Sequence, residues 1–172
     1  MGYALKALTS PEAEFRAPKI CNILYKEGTY AINGIKRVDD RTCDVRYKFP
    51  HINLLKIDYP IPRVSAPQIH SALCQGFYET MGVFAAEGSL PYGISEDYII
   101  HYASFWTFLK ADILYRSEIP PLTESIVRFE ITDISIQRFR KKQCTATMNF
   151  MGAFSGQMTE LLIDLPILSK LS

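Results

Sequence analysis

The sequence has little that would tie it to nucleic acid or to a membrane. Its 19 lysines and arginines are nearly balanced by 18 aspartates and glutamates, which leaves a formal net charge of +1. Nucleic-acid binding rests on neutralising phosphates, so this weak charge excludes nucleic acid as the default partner. No apolar run approaches the ~18 residues that a membrane-spanning helix needs. We therefore expect a chain that neither spans a membrane nor is anchored to one.

Cysteine and histidine are scarce and scattered. The four cysteines form no CxxC pair, and the three histidines lie far apart. Neither a disulfide framework nor a metal site is indicated by these spacings. The first residues also lack the long apolar run of a secretory signal. We predict a cytoplasmic protein with no metal and no bound cofactor.

Internal repeats and low-complexity tracts are absent as well. The chain has 172 residues, of which 48% are hydrophobic. A chain of this size buries roughly 68–70% of its unfolded surface, which is enough for a core without disulfides. We predict a single domain over residues 1–172, with a helical or irregular segment over residues 1–28.

The strongest local pattern predicts a helix over residues 65–88. Ser65 and Gln68 have the spacing of a capping box, Pro67 is tolerated in a first turn, and Gly88 supplies a stop. One face is apolar, and the opposite face is a polar stripe of Gln68, Ser71, Gln75 and Glu79. The stripe is either a solvated face or a surface turned toward a subunit or a substrate.

Two glycines inside this helix indicate that other elements surround it. Gly76 and Gly82 would each cost about 1 kcal/mol relative to alanine in an exposed helix. We therefore expect a close backbone approach at both positions.

Period-two patterns predict six strands. They cover residues 29–38, 42–49, 108–119, 125–139, 143–154 and 157–165. The first two form a hairpin, and the last four follow one another as an antiparallel meander. The faces of the longest strand swap character near Asp133, which predicts a bend or bulge there, and Gly156 is expected to turn the chain. The fold class is α+β, with one sheet against one helix.

Several segments together carry a resemblance to a known family. They are residues 63–67 and 73–78 around the helix, Pro120 and Pro121 before the long strand, and residues 143–146 and 155–161. This arrangement resembles the hot-dog fold, in which a curved antiparallel sheet wraps a central helix. Within that superfamily it is similar to the FcoT-like long-chain fatty acyl-CoA thioesterases.

The resemblance implies a homodimer or higher oligomer with an acyl thioester between subunits. Coenzyme A or phosphopantetheine would be part of the substrate, and an acyl carrier protein would be a partner. The thioester carbonyl would lie near the start of the helix. There the N–H groups of Ala66, Gln68 and Ile69 would stabilise a developing oxyanion.

Two motif comparisons within the superfamily suggest further site residues. Hot-dog dehydratases carry a carboxylate one turn before a helix glutamine, and with Gln75 as that glutamine the position holds Ser71. The FcoT-like pattern has asparagines where this chain has Ser65 and Cys74, and it has tyrosines near Tyr25 and Tyr59. In such a site Ser65 would polarise the carbonyl while a tyrosine or Gln68 holds a water.

Each of these candidates also has a purely structural interpretation. Ser65 is an N-cap, Cys74 is a packing cysteine, and His70 lies at the edge of the apolar face, where histidines are more often packed than catalytic. The basic run of Arg138, Arg140 and Lys141 is either a solvated turn or a landing site for coenzyme A phosphates or an acidic carrier protein.

The sequence therefore predicts an acyl-thioester enzyme, with hydrolysis as the first choice. Dehydration, hydration or conjugate addition at the β-carbon of an enoyl thioester is the second enzymatic interpretation, because one oxyanion pocket serves both reactions. A non-catalytic acyl-binding module is the third.

Overall fold

The structure is a computed structural model that describes residues 14–50, 64–102, 107–115, 119–138 and 142–162. Its elements are α1 (Ile20–Leu24), β1 (Ile32–Arg37), β2 (Thr42–Lys48), α2 (Ala66–Ala86), α3 (Glu96–Tyr102), β3 (Thr107–Tyr115), β4 (Glu124–Arg138), β5 (Lys142–Gly152) and β6 (Phe154–Leu162). The predicted α+β class is confirmed, and all six predicted strands are present. None of the described helices is both long and apolar enough to cross a membrane.

The strands form one antiparallel sheet in the order β1-β2-β4-β5-β6-β3. The β1–β2 hairpin is confirmed, but the predicted four-strand meander is wrong for β3. Since β2 pairs with β4, that side of β4 is occupied and β3 lies at the far edge beside β6. Arg128 also donates two hydrogen bonds to the carboxylate of Asp44, at 2.7 and 3.0 Å, across the β2–β4 pair.

Two predictions about the strand paths have different outcomes. The expected irregularity in β4 is confirmed, because the register shifts between Ile131 and Asp133. The turn expected at Gly156 is wrong, since Gly156 lies within β6 and the chain reverses after Gly152. A Cβ at Gly156 would lie 1.8 Å from the carbonyl oxygen of Asp112 on β3. The glycine therefore permits close strand approach.

Helix α2 begins as the sequence predicts and ends two residues earlier than residue 88. Ser65 is the N-cap, and its capping box with Gln68 is present. At the other end Gly88 has a φ of +67°, and its N–H donates to the carbonyl oxygen of Ala85. Residues 87 and 88 therefore form the turn that closes the helix.

Both glycines within α2 lie against other elements, as predicted. A Cβ at Gly76 would lie 2.2 Å from the hydroxyl oxygen of Tyr47 and 2.5 Å from the ring of Phe129. A Cβ at Gly82 would lie 2.8 Å from Ile20 of α1. One side of α2 therefore packs closely on the sheet, and α1 covers a second side.

Helices α1 and α3 are elements that the sequence pattern did not indicate. Of the segment expected to be helical or irregular, residues 1–13 lie outside the described residues, and α1 within the rest of it begins at Ile20. In α3 the hydroxyl of Ser95 accepts the N–H of Tyr98 at 3.1 Å, and Tyr98 and Ile99 are buried. A helix this short has too few residues to show a period, so its burial decides its formation.

Candidate functional site

A cavity of about 160 Å³ lies at the amino end of α2. Three parts of the chain line it, namely Thr29 and Ala31 before β1, Phe49 and Pro50 after β2, and Pro67, Gln68, Ser71 and Gln75 on α2. Because backbone dipoles align along a helix, this end carries a positive potential. The cavity thus joins three of the predicted site residues, Gln68, Ser71 and Gln75, in a place that favours developing negative charge.

Gln75 is held in one orientation beside this cavity. Its side chain is buried, and its Oε1 accepts the backbone N–H of Ala31 at 3.0 Å. Its Nε2 donates to the hydroxyl oxygen of Ser71 at 3.1 Å. Since that oxygen acts as an acceptor, the hydroxyl hydrogen of Ser71 is directed elsewhere. The second N–H of Gln75 and the O–H of Ser71 are therefore the donors that these two side chains can offer to a bound group.

Gln68 and Ser65 have a different role at the start of α2. The Oε1 of Gln68 accepts from the backbone N–H of Ser65 at 2.8 Å and from its hydroxyl at 3.0 Å. The Nε2 of Gln68 donates to the carbonyl oxygen of Pro50 at 3.2 Å. These bonds fasten the beginning of the helix to the end of β2. A catalytic role for either residue stays a prediction.

The backbone donors expected at the helix start are mostly engaged. Ile69 donates its N–H to the carbonyl oxygen of Ser65 at 3.1 Å, and the N–H of Gln68 is satisfied by the Ser65 side chain in the capping box. These contacts engage two of the three expected N–H groups and do not involve the N–H of Ala66. The capping box thus engages the N–H of Gln68 and the first helix bond engages that of Ile69, and a role for Ala66, Gln68 and Ile69 at an oxyanion stays a prediction. The donors at the cavity come instead from side chains.

Of the remaining predicted residues, those that the structure describes do not line this cavity. His70 is exposed on α2 and is not among the lining residues. Arg138 ends β4. Tyr59, Arg140 and Lys141 lie outside the described residues. Their assignment to the site stays a prediction.

Tyr25 and Cys74 lie in a second polar group that the sequence analysis missed. Its centre is Glu160 on β6, which is 1% exposed and lies beside the Cys74 thiol and the Tyr78 hydroxyl. Burial raises the pKa of Glu160 to about 8. The sequence did contain a signal for Glu160. Side chains alternate along β6, so Phe154, Met158 and Glu160 share the inward face, and Glu160 is the charged residue among them.

The environment of Cys74 argues against a nucleophilic role. Burial, followed by the adjacent carboxyl of Glu160, raises the pKa of the Cys74 thiol to about 12. Its thiolate, the reactive form, is therefore scarce at neutral pH. Burial also raises the pKa of the half-buried Tyr25, and the nearby Cys74 and Glu160 raise it further. Both side chains are neutral at physiological pH.

Glu79, the last residue of the polar stripe, is structural. Its Oε1 accepts the N–H of Cys21 at 2.6 Å and its Oε2 accepts the N–H of Lys19 at 3.2 Å. It thereby holds the start of α1 against α2. The stripe is therefore divided between an exposed Ser71 at the cavity and the buried Gln75 and Glu79.

A larger cavity of about 460 Å³ opens at the opposite end of α2. Asp40, Asp133 and Ser89 are among its lining residues, and the carboxyl end of the helix faces this region. The lining holds Arg41 as well as the two carboxylates, and the negative end of the helix dipole there disfavours a developing oxyanion. The two cavities therefore lie at electrostatically opposite ends of α2.

Within the described residues, no three or more His, Cys, Asp or Glu side chains are grouped so as to hold a metal ion. All four cysteines are free thiols.

No family model and no curated protein matches the sequence. Among solved structures, the chain is similar to a hypothetical thioesterase with coenzyme A from Streptococcus pneumoniae, at 12% identity over 74% of this chain and 83% of that one, with a TM-score of 0.43. A homologue of HP0420 from Helicobacter felis shares 14% identity over 82% and 83% of the two chains, with a TM-score of 0.45. Cj0977, a sigma28-regulated virulence protein of Campylobacter jejuni, shares 7% identity over 86% of each chain, with a TM-score of 0.45.

Proposed function

We propose that this chain is a cytoplasmic hot-dog protein that binds acyl thioesters and hydrolyses them. The observation that carries the proposal is the pair of donors from Ser71 and Gln75, fixed in a cavity at the positive end of a 21-residue helix. Donors that are oriented before the reaction stabilise an oxyanion without a cost for reorganisation. The thioester carbonyl oxygen would lie against these two groups.

The reaction balances without a cofactor. A water oxygen attacks the carbonyl carbon, and the carbonyl oxygen takes up negative charge beside Ser71 and Gln75. When this intermediate collapses, the carbon–sulfur bond breaks and the sulfur leaves with a proton. The products are a carboxylic acid and the thiol of coenzyme A or of a phosphopantetheine arm.

The subunit arrangement of this proposal is a homodimer formed through β3. This strand is at the edge of the sheet, and its Leu109 and Leu114 are 52% and 62% exposed. Pairing of two such edges extends the sheet and removes unpaired backbone groups from solvent. The curved sheet around α2, the single domain over residues 1–172 and the FcoT-like assignment belong to the same proposal.

Chemistry at the β-carbon of an enoyl thioester is the second candidate. The observation that favours it is the buried Glu160 on β6. Hot-dog dehydratases carry their carboxylate on the helix, where this chain has Ser71, and Glu160 would provide the carboxyl group from the sheet. Dehydration, hydration and conjugate addition all need such a group to move a proton. The donors at Ser71 and Gln75 would then stabilise an enolate.

Mass spectrometry of thioesters incubated with the protein separates these functions. Saturated and α,β-unsaturated acyl groups are presented on coenzyme A and on a carrier protein, with and without an added amine. Free thiol and carboxylic acid from both acyl types support hydrolysis. Water or amine added to the unsaturated chain with the thioester intact supports the second candidate, and binding without conversion leaves an acyl-binding module.

Ser71→Ala is expected to lower kcat/KM by about 100-fold, since loss of one oxyanion donor lowers kcat by about 100- to 1,000-fold. Because Ser71 also accepts the side-chain N–H of the buried Gln75, the variant should in addition lose about 1 kcal/mol of stability. Steady-state thiol release checks the first effect and thermal unfolding the second. Ser95→Ala removes a helix-cap serine outside the cavity and should leave turnover unchanged. Equal turnover in Ser71→Ala and the wild type would remove Ser71 from the site.

Charge reversal at Arg140 and Lys141 is expected to raise KM for a carrier-bound thioester several-fold at low salt. Screening by salt should shrink this difference, because the charges act across solvent. The measurement compares KM at two ionic strengths, with reversal at the exposed Lys26 as the control. An unchanged KM would leave the basic run as a solvated turn.

A further inference from the structure

Glu160 stands out as a buried acid whose position is not explained by the packing around it. It is 1% exposed and lies on the inward face of β6, which is otherwise apolar. Among the described residues, no hydrogen bond of normal geometry reaches either of its carboxyl oxygens. A buried carboxyl without such bonds costs free energy, so its retention calls for a use.

The group around Glu160 lies on the same face of α2 as Ser71 of the cavity, although Glu160 itself is not one of the residues that line the cavity. Ser71, Cys74 and Tyr78 follow one another at spacings of three and four residues, so they share one face of the helix. Ser71 lines the cavity, whereas Cys74 and Tyr78 lie beside Glu160. Since Cys74 follows Ser71 by about one helical turn, the carboxyl beside it lies about one turn (~5.4 Å) farther along α2 than Ser71 and close to the level of Gln75.

We propose that Glu160 is the proton-transfer residue of this site. This inference rests on the proposed function. The Glu160 carboxylate takes a proton from the water as its oxygen attacks the thioester carbonyl carbon. When the carbon–sulfur bond breaks, the proton passes from Glu160 to the sulfur, and the carboxylate is regenerated.

The surroundings of Glu160 determine the pH at which it acts. The polar groups that face it among the described residues are Cys74 and Tyr78 on α2 and Tyr25 after α1, all neutral at physiological pH. Burial raises the pKa of Glu160 to about 8, and contacts with Cys74 and Tyr78 oppose this rise. The carboxylate is therefore the minor form at pH 7, and turnover should increase as the pH rises through about 8.

Glu160→Gln tests this role with the full-length chain. The variant keeps the size of the side chain and loses the proton acceptor, so kcat at pH 8.5 should fall by about 100-fold or more. The residual rate should no longer rise through about pH 8. If the wild type cleaves thioesters and Glu160→Gln has the same rate and pH profile, the role of Glu160 is overturned and the proposed function is not. No cleavage of any thioester by the wild type would overturn the proposed function as well.

Tyr78→Phe keeps the test decisive if Glu160→Gln does not fold. The Tyr78 hydroxyl lowers the pKa of Glu160, so its removal should move the midpoint of the pH–rate profile to higher pH. The aromatic ring and its packing are retained. A midpoint identical to that of the wild type would show that another group takes the proton.

Discussion

Gly76→Ala is expected to lower the free energy of unfolding by about 3 kcal/mol, as severe overpacking does in a rigid core. The new methyl would lie 2.2 Å from the Tyr47 hydroxyl oxygen and 2.5 Å from the ring of Phe129. Neither side chain has room to retreat, because both are fully buried and Tyr47 donates to the carbonyl oxygen of Ala72 at 2.8 Å. In a chain of this size the melting temperature should fall by roughly 6–12 °C.

Gly82→Ala is the matched control for this prediction. It lies in the same helix, but its new methyl would meet the side chain of Ile20 at 2.8 Å, and α1 can shift more easily than the sheet. We expect a clearly smaller loss. Helix propensity alone would make both substitutions stabilising by about 1 kcal/mol. A rise in melting temperature for Gly76→Ala would therefore contradict the close packing of α2 on the sheet.

Glu79→Ala is expected to cost about 3 kcal/mol. It removes the carboxylate that accepts the N–H groups of Lys19 and Cys21, and a buried donor left without an acceptor costs about 1–3 kcal/mol. Hydrogen exchange should show the loss locally, as faster exchange of the amides of α1. Chemical denaturation gives the global value.

Glu87→Ala provides the control for Glu79→Ala at the end of the same helix. Glu87 accepts a hydrogen bond from the guanidinium of Arg37 at 2.6 Å, and both side chains are exposed. Such surface pairs contribute about 0–1 kcal/mol. Similar losses for the two variants, or unchanged exchange in α1 of Glu79→Ala, would show that Glu79 does not hold α1 in place.

Much of the fold was predictable because it depends on local patterns. The capping box at Ser65, the glycines of α2 and the alternation in the strands are set by residues close in sequence. The position of β3 was not predictable in this way, since β2, far away in the sequence, pairs with the side of β4 that β3 would otherwise take. Helices α1 and α3 are stabilised by burial against α2, which their short sequences do not reveal.

The candidate site was predictable in part for the same reason. Gln68, Ser71 and Gln75 were found because the helix period places them together. The capping box engages the backbone donor of Gln68, and the first helical hydrogen bond engages that of Ile69. Glu160 was missed because it lies far from α2 in sequence, and only the pairing of β6 within the sheet brings its carboxyl to Cys74 and Tyr78.

The pairing of β2 with β4 has a consequence for how this chain acquires its structure. Asp44 and Arg128 are separated by 84 positions, so the central part of the sheet closes only after most of the chain has left the ribosome. Contacts between residues so far apart in the sequence carry a large loop-closure entropy, and they slow folding. Until β4 emerges, the β1–β2 hairpin presents an open edge to other nascent chains, and this interval is when the protein is most prone to aggregation.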